Sequence, residues 1–349
     1  MATFRTRTLP RRCLVSIAAL SLALMPTALL FPGRATVAAT MPPQRAALIS
    51  IQPVNDKGVM QAFVGGFNAA AAQYHYAASR VILDEDPSTY VSTLQTVASA
   101  GYNLVIVTFP PMIQALSTVA PRFPNVHFLL LDAQIPKPLP NVQTLFFYEN
   151  QSSFLSGALA AYMTRTHKVG FLGALVQDVI NRYLVGFYEG VKYVNPHNTV
   201  CWSYVNALED PALGKQFALT MYGQGIDVIH AATAGTEVGV YQASEQAHKY
   251  LIGADVDIRP FDPSYGLSAS GPDFAQAAVL VMRQQANGTF RAGRQQYGLA
   301  DGAVRLLPFN DKLVPQSVQR AVLHVQQLIV KGRIMVHTDT YLKQLKNCS

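Results

Sequence analysis

The stretch RAALISIQ at residues 45–52 and the stretch KVGFLGAL at residues 168–175 share few letters but one pattern, a short unbroken apolar run. Sliding the chain past itself by about 123 residues, the spacing of these two runs, brings further pairs into line in the same order. Gly66-Phe67 falls near Gly186-Phe187, Asp86-Pro87 falls on Asp210-Pro211, GYNLVIV (101–107) falls on GIDVIHA (225–231), and HFLLLDA (127–133) falls near YLIGADV (250–256). The chain therefore contains an internal repeat. Each unit reads as an apolar strand, a helix with small residues on one face, a second strand, an Asp-Pro helix start, a helix and two more strands. Unbroken apolar runs alternating with helical periodicity indicate parallel strands covered by helices on both faces. Asp86 and Asp210 suit a helix N-cap followed by proline at the first helical position. The fold class that follows is α/β, with two doubly wound parallel-sheet lobes joined by a hinge.

In such sheets ligands bind at the carboxyl ends of the strands, where loops converge and helix N-termini point. That rule selects Asn55 and Asp56 after the first strand, Phe109 after the third, Asp132 after the fourth, and Tyr183, Gly235, Thr236 and Asp255 in the second unit. They come from both lobes, so a cleft between lobes that closes about a hinge is the expected site. Each candidate also has a structural alternative. Asp255 and Asp132 sit at strand tips, where a carboxylate serves a ligand or neighbouring loop amides. Asp56 can cap the next helix. Phe109 and Tyr183 can stack on a planar ligand or pack beneath loops. The Ala234-Gly235-Thr236 turn can offer amides to an anionic or hydroxyl-rich group, or be a tight turn that glycine alone explains.

The remaining sequence sets the boundaries. Residues 1–39 carry Arg5, Arg7, Arg11, Arg12 and Arg34, no acidic residue, and an apolar run from Leu14 to Phe31 broken by Pro26. This is the pattern of a cleaved secretory signal, with cleavage expected after Ala39. The Arg11-Arg12 pair fits both an ordinary positive n-region and a twin-arginine signal. Residues 40–148 form lobe 1, 149–255 form lobe 2, and 256–337 supply crossover pieces that complete each lobe in turn, so the chain crosses between lobes three times. Residues 338–349 read as a polar tail. Removing five arginines and no acid takes the formal charge from +7 to +2, which implies no basic surface for nucleic acid. Cys13 lies in the signal and is not flanked as a lipid anchor requires, so none is expected. Cys201 and Cys348 could pair or stay free.

Several chemistries lack their residues. There is no phosphate-cradling Gly-x-x-x-x-Gly-Lys-Ser/Thr or Gly-x-Gly-x-x-Gly loop. There is no Cys-x-x-Cys or paired histidine spacing for a metal. Gly266-Leu267-Ser268-Ala269-Ser270-Gly271 stops short of the Gly-x-Ser-x-Gly nucleophile elbow. No catalytic residue, metal or cofactor is expected.

Five stretches taken in order are more specific: SFLSGALAAYMTRTHKVGFLGA (153–174), VGFYEGVKYVNP (185–196), GIDVIHAATAGTEVGV (225–240), YLIGADVD (250–257) and YGLADGAVRL (297–306). Through them the chain resembles the basic membrane protein family of PnrA-like substrate-binding proteins, from about Ala46 to His337. The resemblance implies a type I periplasmic binding fold in a periplasmic or otherwise exported, non-catalytic receptor. It further implies that a nucleoside-like small molecule is gripped between the lobes and delivered to an ABC permease in the inner membrane, with Asp255 as partner of a ribose diol. In that family an Asp-x-Ser-Phe-Asn-Gln stretch adds a ring that stacks on the base. Here the matching stretch is NDKGVMQ (55–61), which keeps Asp56 and Gln61 but has Gly58, Val59 and Met60 in place of serine, phenylalanine and asparagine. Pro272 stands where relatives carry a lysine. Stacking a base on an aromatic ring contributes about 1 to 3 kcal/mol, and Val59 cannot supply it. Two other readings remain: a sensor of the same fold without transport, and a nucleoside or acyl hydrolase.

Overall fold

The first strand, β1 (Arg45–Ser50), opens a run of alternating strands and helices. It is followed by α1 (Val59–Gln73), β2 (Ala78–Leu83), α2 (Tyr90–Ser99), β3 (Leu104–Thr108), α3 (Ile113–Val119), β4 (His127–Leu131) and β5 (Val142–Phe147). The second half repeats the theme in α4 (Glu149–Met163), β6 (Lys168–Gly173), α5 (Asp178–Val194), β7 (Thr199–Tyr204), α6 (Pro211–Gly223), β8 (Val228–Ala232), α7 (Glu237–Ala247), β9 (Tyr250–Ala254) and β10 (Gly266–Pro272). Then come α8 (Phe274–Ala286), β11 (Gly293–Tyr297), β12 (Val304–Leu306) and α9 (Gln316–Val330). This computed structural model describes residues 43–54 and 59–348. The expected signal at 1–39 and the candidates Asn55 and Asp56 lie outside them.

The strands form two six-stranded sheets, β2-β1-β3-β4-β5-β11 and β7-β6-β8-β9-β10-β12. Position for position the two orders match, so the repeat read in the sequence is a repeat of topology. All pairings are parallel except β10 with β12. Strands β1, β3, β4 and β8 are almost wholly buried, as strands covered on both faces must be. One face of the first sheet packs on α1 and α8 through Phe63, Phe67, Phe147 and Phe274. The other packs on α2 and α3 through Leu94, Val107 and Leu116. The second sheet is covered by α4, α5 and α9 on one face and by α6 and α7 on the other. The chain passes between sheets after β5, after β10 and after β11.

Helices approach unusually closely where glycine lines the contact. A Cβ on Gly186 would lie 2.1 Å from the Asn150 carbonyl oxygen, and one on Gly190 would lie 2.0 Å from that of Phe154. The α4–α5 seam is thus backbone against backbone, and it fixes where the N-terminal turns of both helices sit.

Three details depart from the sequence reading. Asp210 caps α6 by accepting the Leu213 N–H, with Pro211 at the first helical position. Its repeat mate Asp86 does not begin a helix: it accepts the Ser88 N–H in a turn, and α2 starts only at Tyr90. Strand β11 is polar, alternating half-buried and exposed, and is held at the sheet edge by backbone pairing from Gly293–Gln143 to Tyr297–Phe147; no apolar pattern announces it. Finally, the tail is docked rather than loose. Leu342 and Leu345 pack on the second lobe, the Asn347 amide bonds both the N–H and the carbonyl of Trp202 on edge strand β7, and Cys348 forms a disulfide with Cys201.

Candidate functional site

Two aspartates cap corresponding strands of the two lobes. Asp132 follows β4 with φ 51°, and Asp255 follows β9 with φ 64°. Left-handed backbone is costly for most side chains, and Asp and Asn tolerate it best. Each turn lifts a carboxylate off the sheet at its carboxyl end. Asp132 faces Arg182 and Asp255 bonds the adjacent Tyr183 on the same helix turn, so the first turns of α5 receive a strand tip from each lobe.

Their immediate partners differ. Asp255 Oδ1 accepts a 2.5 Å hydrogen bond from the Tyr183 hydroxyl of α5, and its N–H donates to the Ser270 carbonyl. Gly271 lies directly beneath: a Cβ there would be 2.3 Å from Asp255 Oδ1 and 2.7 Å from the Tyr183 oxygen. Asp132 Oδ1 has no hydrogen-bond partner and faces Arg182 Nη2 of the other lobe at 4.0 Å.

Arg182 is the centre of the arrangement. It projects from the first turns of α5, where Asn181 to Phe187 are all buried. Its Nε donates to Glu149 Oε2 at 2.7 Å and its Nη2 to Oε1 at 3.4 Å, a two-point pairing suited to a planar guanidinium. Glu149 is the first residue of α4, where the helix dipole favours an acid. The Arg182 guanidinium also lies 4.5 Å from the centre of the Phe146 ring on β5, and that of Arg294 lies 4.1 Å from the same ring.

The electrostatics follow from burial. Burial, with the charge of Glu149, pushes the Asp132 carboxyl well above the usual carboxylate range against the pull of Arg182. Burial pushes Asp255 up to about 7, opposed by the Tyr183 hydrogen bond. Glu149 is raised by burial against the stabilising Arg182. Glu237, at the start of α7, is raised by burial and by Asp255, and its Oε1 has no partner. Among the described residues Glu149 and Asp132 thus flank the Arg182 guanidinium, with Asp255 and Glu237 as further buried acids. Such a lining offers acceptors for hydroxyl and amine donors.

Of the other sequence candidates, Tyr183 is 2 % exposed and serves as the donor that holds Asp255, with its ring packed edge-on to His230. Phe109 has φ 66° and ψ 166°, a strained conformation for a bulky residue, and packs partly buried on the lobe 1 core. Thr236 accepts the Asp210 N–H through its hydroxyl, and its own N–H donates to the Leu208 carbonyl. Glu209 closes over Gly235, so that a Cβ there would come within 2.1 Å of its carboxylate. The side chain of Glu209, from the same lobe, thus lies against this turn. Sequence reasoning missed Arg182, Glu149 and Glu237. The available signal was a lone arginine inside an otherwise apolar helix face and a lone glutamate between a strand and a small-residue helix. Among the described residues no cluster of His, Cys, Asp and Glu is arranged to hold a metal ion, and no helix is long and apolar enough to cross a membrane.

The family profile described as "ABC transporter substrate-binding protein PnrA-like" matches residues 44–340, nearly the whole two-lobed body. The chain belongs to that family. Basic membrane protein A2 of Borrelia garinii subsp. bavariensis is 24% identical over 300 residues, covering 84% of this chain and 88% of the relative. The CD4+ T-cell-stimulating antigen of Listeria monocytogenes is 32% identical over 267 residues, covering 71% and 73%. An ABC transporter solute-binding protein from Aeropyrum pernix K1 superposes with a TM-score of 0.75 at 22% identity, covering 87% of this chain and 98% of the other. The two sheets with their helices are the type I periplasmic binding fold, and PnrA-like family membership makes this chain a solute-binding protein, a family of receptors rather than enzymes.

Proposed function

We propose that this PnrA-like protein is exported, closes on a neutral or amine-bearing, hydroxyl-rich small molecule of nucleoside-like character, and passes it to the permease of an ABC importer. One observation carries the reading: Asp132 and Asp255, strand-tip carboxylates of opposite lobes, meet neighbouring residues Arg182 and Tyr183 of one buried helix turn. A carboxylate with free lone pairs accepts hydroxyl hydrogen bonds from a sugar-like diol, and charged-group bonds of this kind contribute about 1.5 to 3 kcal/mol each. The acid-rich lining among the described residues favours neutral or cationic ligands over nucleotides and organic acids. Val59 is half-buried against the lobe 1 core and offers no stacking surface, so recognition rests on the polar groups more than on a base-stacking ring.

The test begins with the natively expressed protein. Compounds released on denaturation are identified by mass spectrometry, and the compound found is titrated into wild type and Asp255→Ala. A neutral or cationic polyol or nucleoside whose affinity drops by about ten-fold or more, with melting temperature little changed, supports the proposal. An anionic ligand, or unchanged affinity with a lowered melting temperature, overturns it.

A further inference from the structure

Closing a cleft that carries carboxylates on both sides brings like charges together in a buried place, and something must offset them. Lobe 1 contributes Asp132, while Asp255 sits on lobe 2 and Glu149 at the chain crossing that begins α4. Among the described residues the cation paired with this group is Arg182, whose side chain is 7% exposed. Arg294 lies against the same Phe146 ring from lobe 1, and Asp339 of the C-terminal segment adds one more acid that Arg182 feels.

We propose that Arg182 is a positioning residue for lobe closure: held in lobe 2 by Glu149, it supplies the charge against which Asp132 of lobe 1 seats. Its pairing with Glu149 lies within one lobe and its crossing segment, so that pair survives opening. The two remaining contacts, Asp132 at 4.0 Å and the Phe146 ring at 4.5 Å, belong to lobe 1 and are available to report closure. Asp132 makes no hydrogen bond through Oδ1, so nothing else within lobe 1 holds that oxygen. Asp132 already meets Glu149 carboxyl to carboxyl across the lobes, a contact that needs a shared proton or a neighbouring cation, and among the described residues Arg182 is the cation beside both. The distance of 4.0 Å leaves Asp132 attracted but still free to accept a donor from a ligand. This assignment rests on the receptor reading only for the purpose of closure, and it is tested without ligand.

The experiment is a double-mutant cycle read by interlobe distance. Nitroxides are placed at exposed Ser99→Cys on lobe 1 and Gln216→Cys on lobe 2, with the native disulfide intact, and closed and open populations are measured by pulsed electron resonance at pH 8. The four proteins are wild type, Arg182→Gln, Asp132→Asn, and the double variant. Arg182→Gln should lower the closed-to-open ratio by about ten-fold, the scale of a coupled buried charge, and Asp132→Asn in that background should recover most of it. Arg182→Lys, which keeps the charge but not the two-point pairing, should fall between wild type and Arg182→Gln. A merely structural arginine predicts no recovery from Asp132→Asn, because Asp132 is not what holds Arg182 in place. Should Arg182→Gln fail to fold, Glu149→Gln/Arg182→Gln keeps a neutral hydrogen-bonding pair in lobe 2, and the same opening and the same rescue are expected. A closed-to-open ratio unchanged by loss of Arg182, or a loss not recovered by Asp132→Asn, overturns the proposal.

Discussion

Lobe 1 and lobe 2 present the same backbone device and use it differently. Asp132 and Asp255 follow equivalent strands in equivalent left-handed turns. Asp255 is satisfied inside its own lobe by Tyr183, above a glycine that leaves room for nothing larger. Asp132 keeps an oxygen without a hydrogen bond and looks to the other lobe for a counter-charge. The difference shows how a duplicated fold becomes a two-part grip: one half is complete by itself, and the other becomes complete only on meeting it.

The comparison can be broken most forcefully at Glu149. Glu149→Leu leaves Arg182 buried without its close partner, and breaking a buried pair from one side typically costs about 3 to 5 kcal/mol. Chemical denaturation should register that loss, whereas Asp132→Asn, which removes only the looser contact, should change stability far less. Equal losses would mean that lobe 1 depends on the guanidinium as much as lobe 2 does.

Next in size is the helix seam. Gly190→Ala drives a methyl into the Phe154 carbonyl, and Gly66→Ala in lobe 1 drives one into the Ala275 carbonyl at 2.2 Å. Overpacking of this kind costs about 1 to 3 kcal/mol, and both variants should lower the denaturation midpoint. Gly190 lies on the seam that also positions Arg182 and Tyr183, so its variant alone should also weaken ligand binding.

A smaller effect is expected from pH. The folded protein holds the Asp255 proton up to about pH 7, while the unfolded chain, with the ordinary value of 3.8, releases it earlier. Between those values the folded state binds the extra proton, so stability falls as pH rises from about 4 to 7 and levels off above. The slope from one such group reaches about 1.4 kcal/mol per pH unit. Asp132, Glu149 and Glu237 shift in the same direction, and Asp255→Asn should flatten the curve without abolishing it. A stability maximum at neutral pH in the wild type would contradict the burial of these acids in one site.

The smallest contrast lies in the Asp-Pro pair. Asp210→Ala removes a helix cap and should cost about 1 kcal/mol, measurable by thermal melting. Asp86→Ala removes a bond in an exposed turn and should cost less.

That last pair also shows how far the sequence could be read. Asp86-Pro87 and Asp210-Pro211 are identical as letters, yet only the second stands at a helix start, because three more residues of turn precede α2. The doubly wound lobes were legible because burial on both faces forces unbroken apolar runs, and the repeat doubled the signal. Strand β11 was not, since an edge strand held by backbone pairing needs no apolar pattern. At the candidate site the strand-tip rule singled out Asp132, Asp255 and Tyr183; Tyr183, read there as a ring that stacks on a ligand or packs beneath loops, is a hydroxyl donor to Asp255. Arg182 and Glu149 are paired across 33 residues of sequence, and nothing local distinguishes an arginine that snorkels to solvent from one that spans two lobes.

The Cys201–Cys348 bond joins positions 147 residues apart and ties the tail to β7. The ring it closes takes in β8 to β10, the excursion into lobe 1 through α8 and β11, and the return through β12 and α9. Two of the three passages between the lobes therefore run inside one covalent loop. A protease that cuts a surface loop anywhere along that stretch would leave the fragments linked, migrating as a single species until a reductant is added. The molecule would carry the nick as a latent break, still one body for as long as its surroundings stay oxidising.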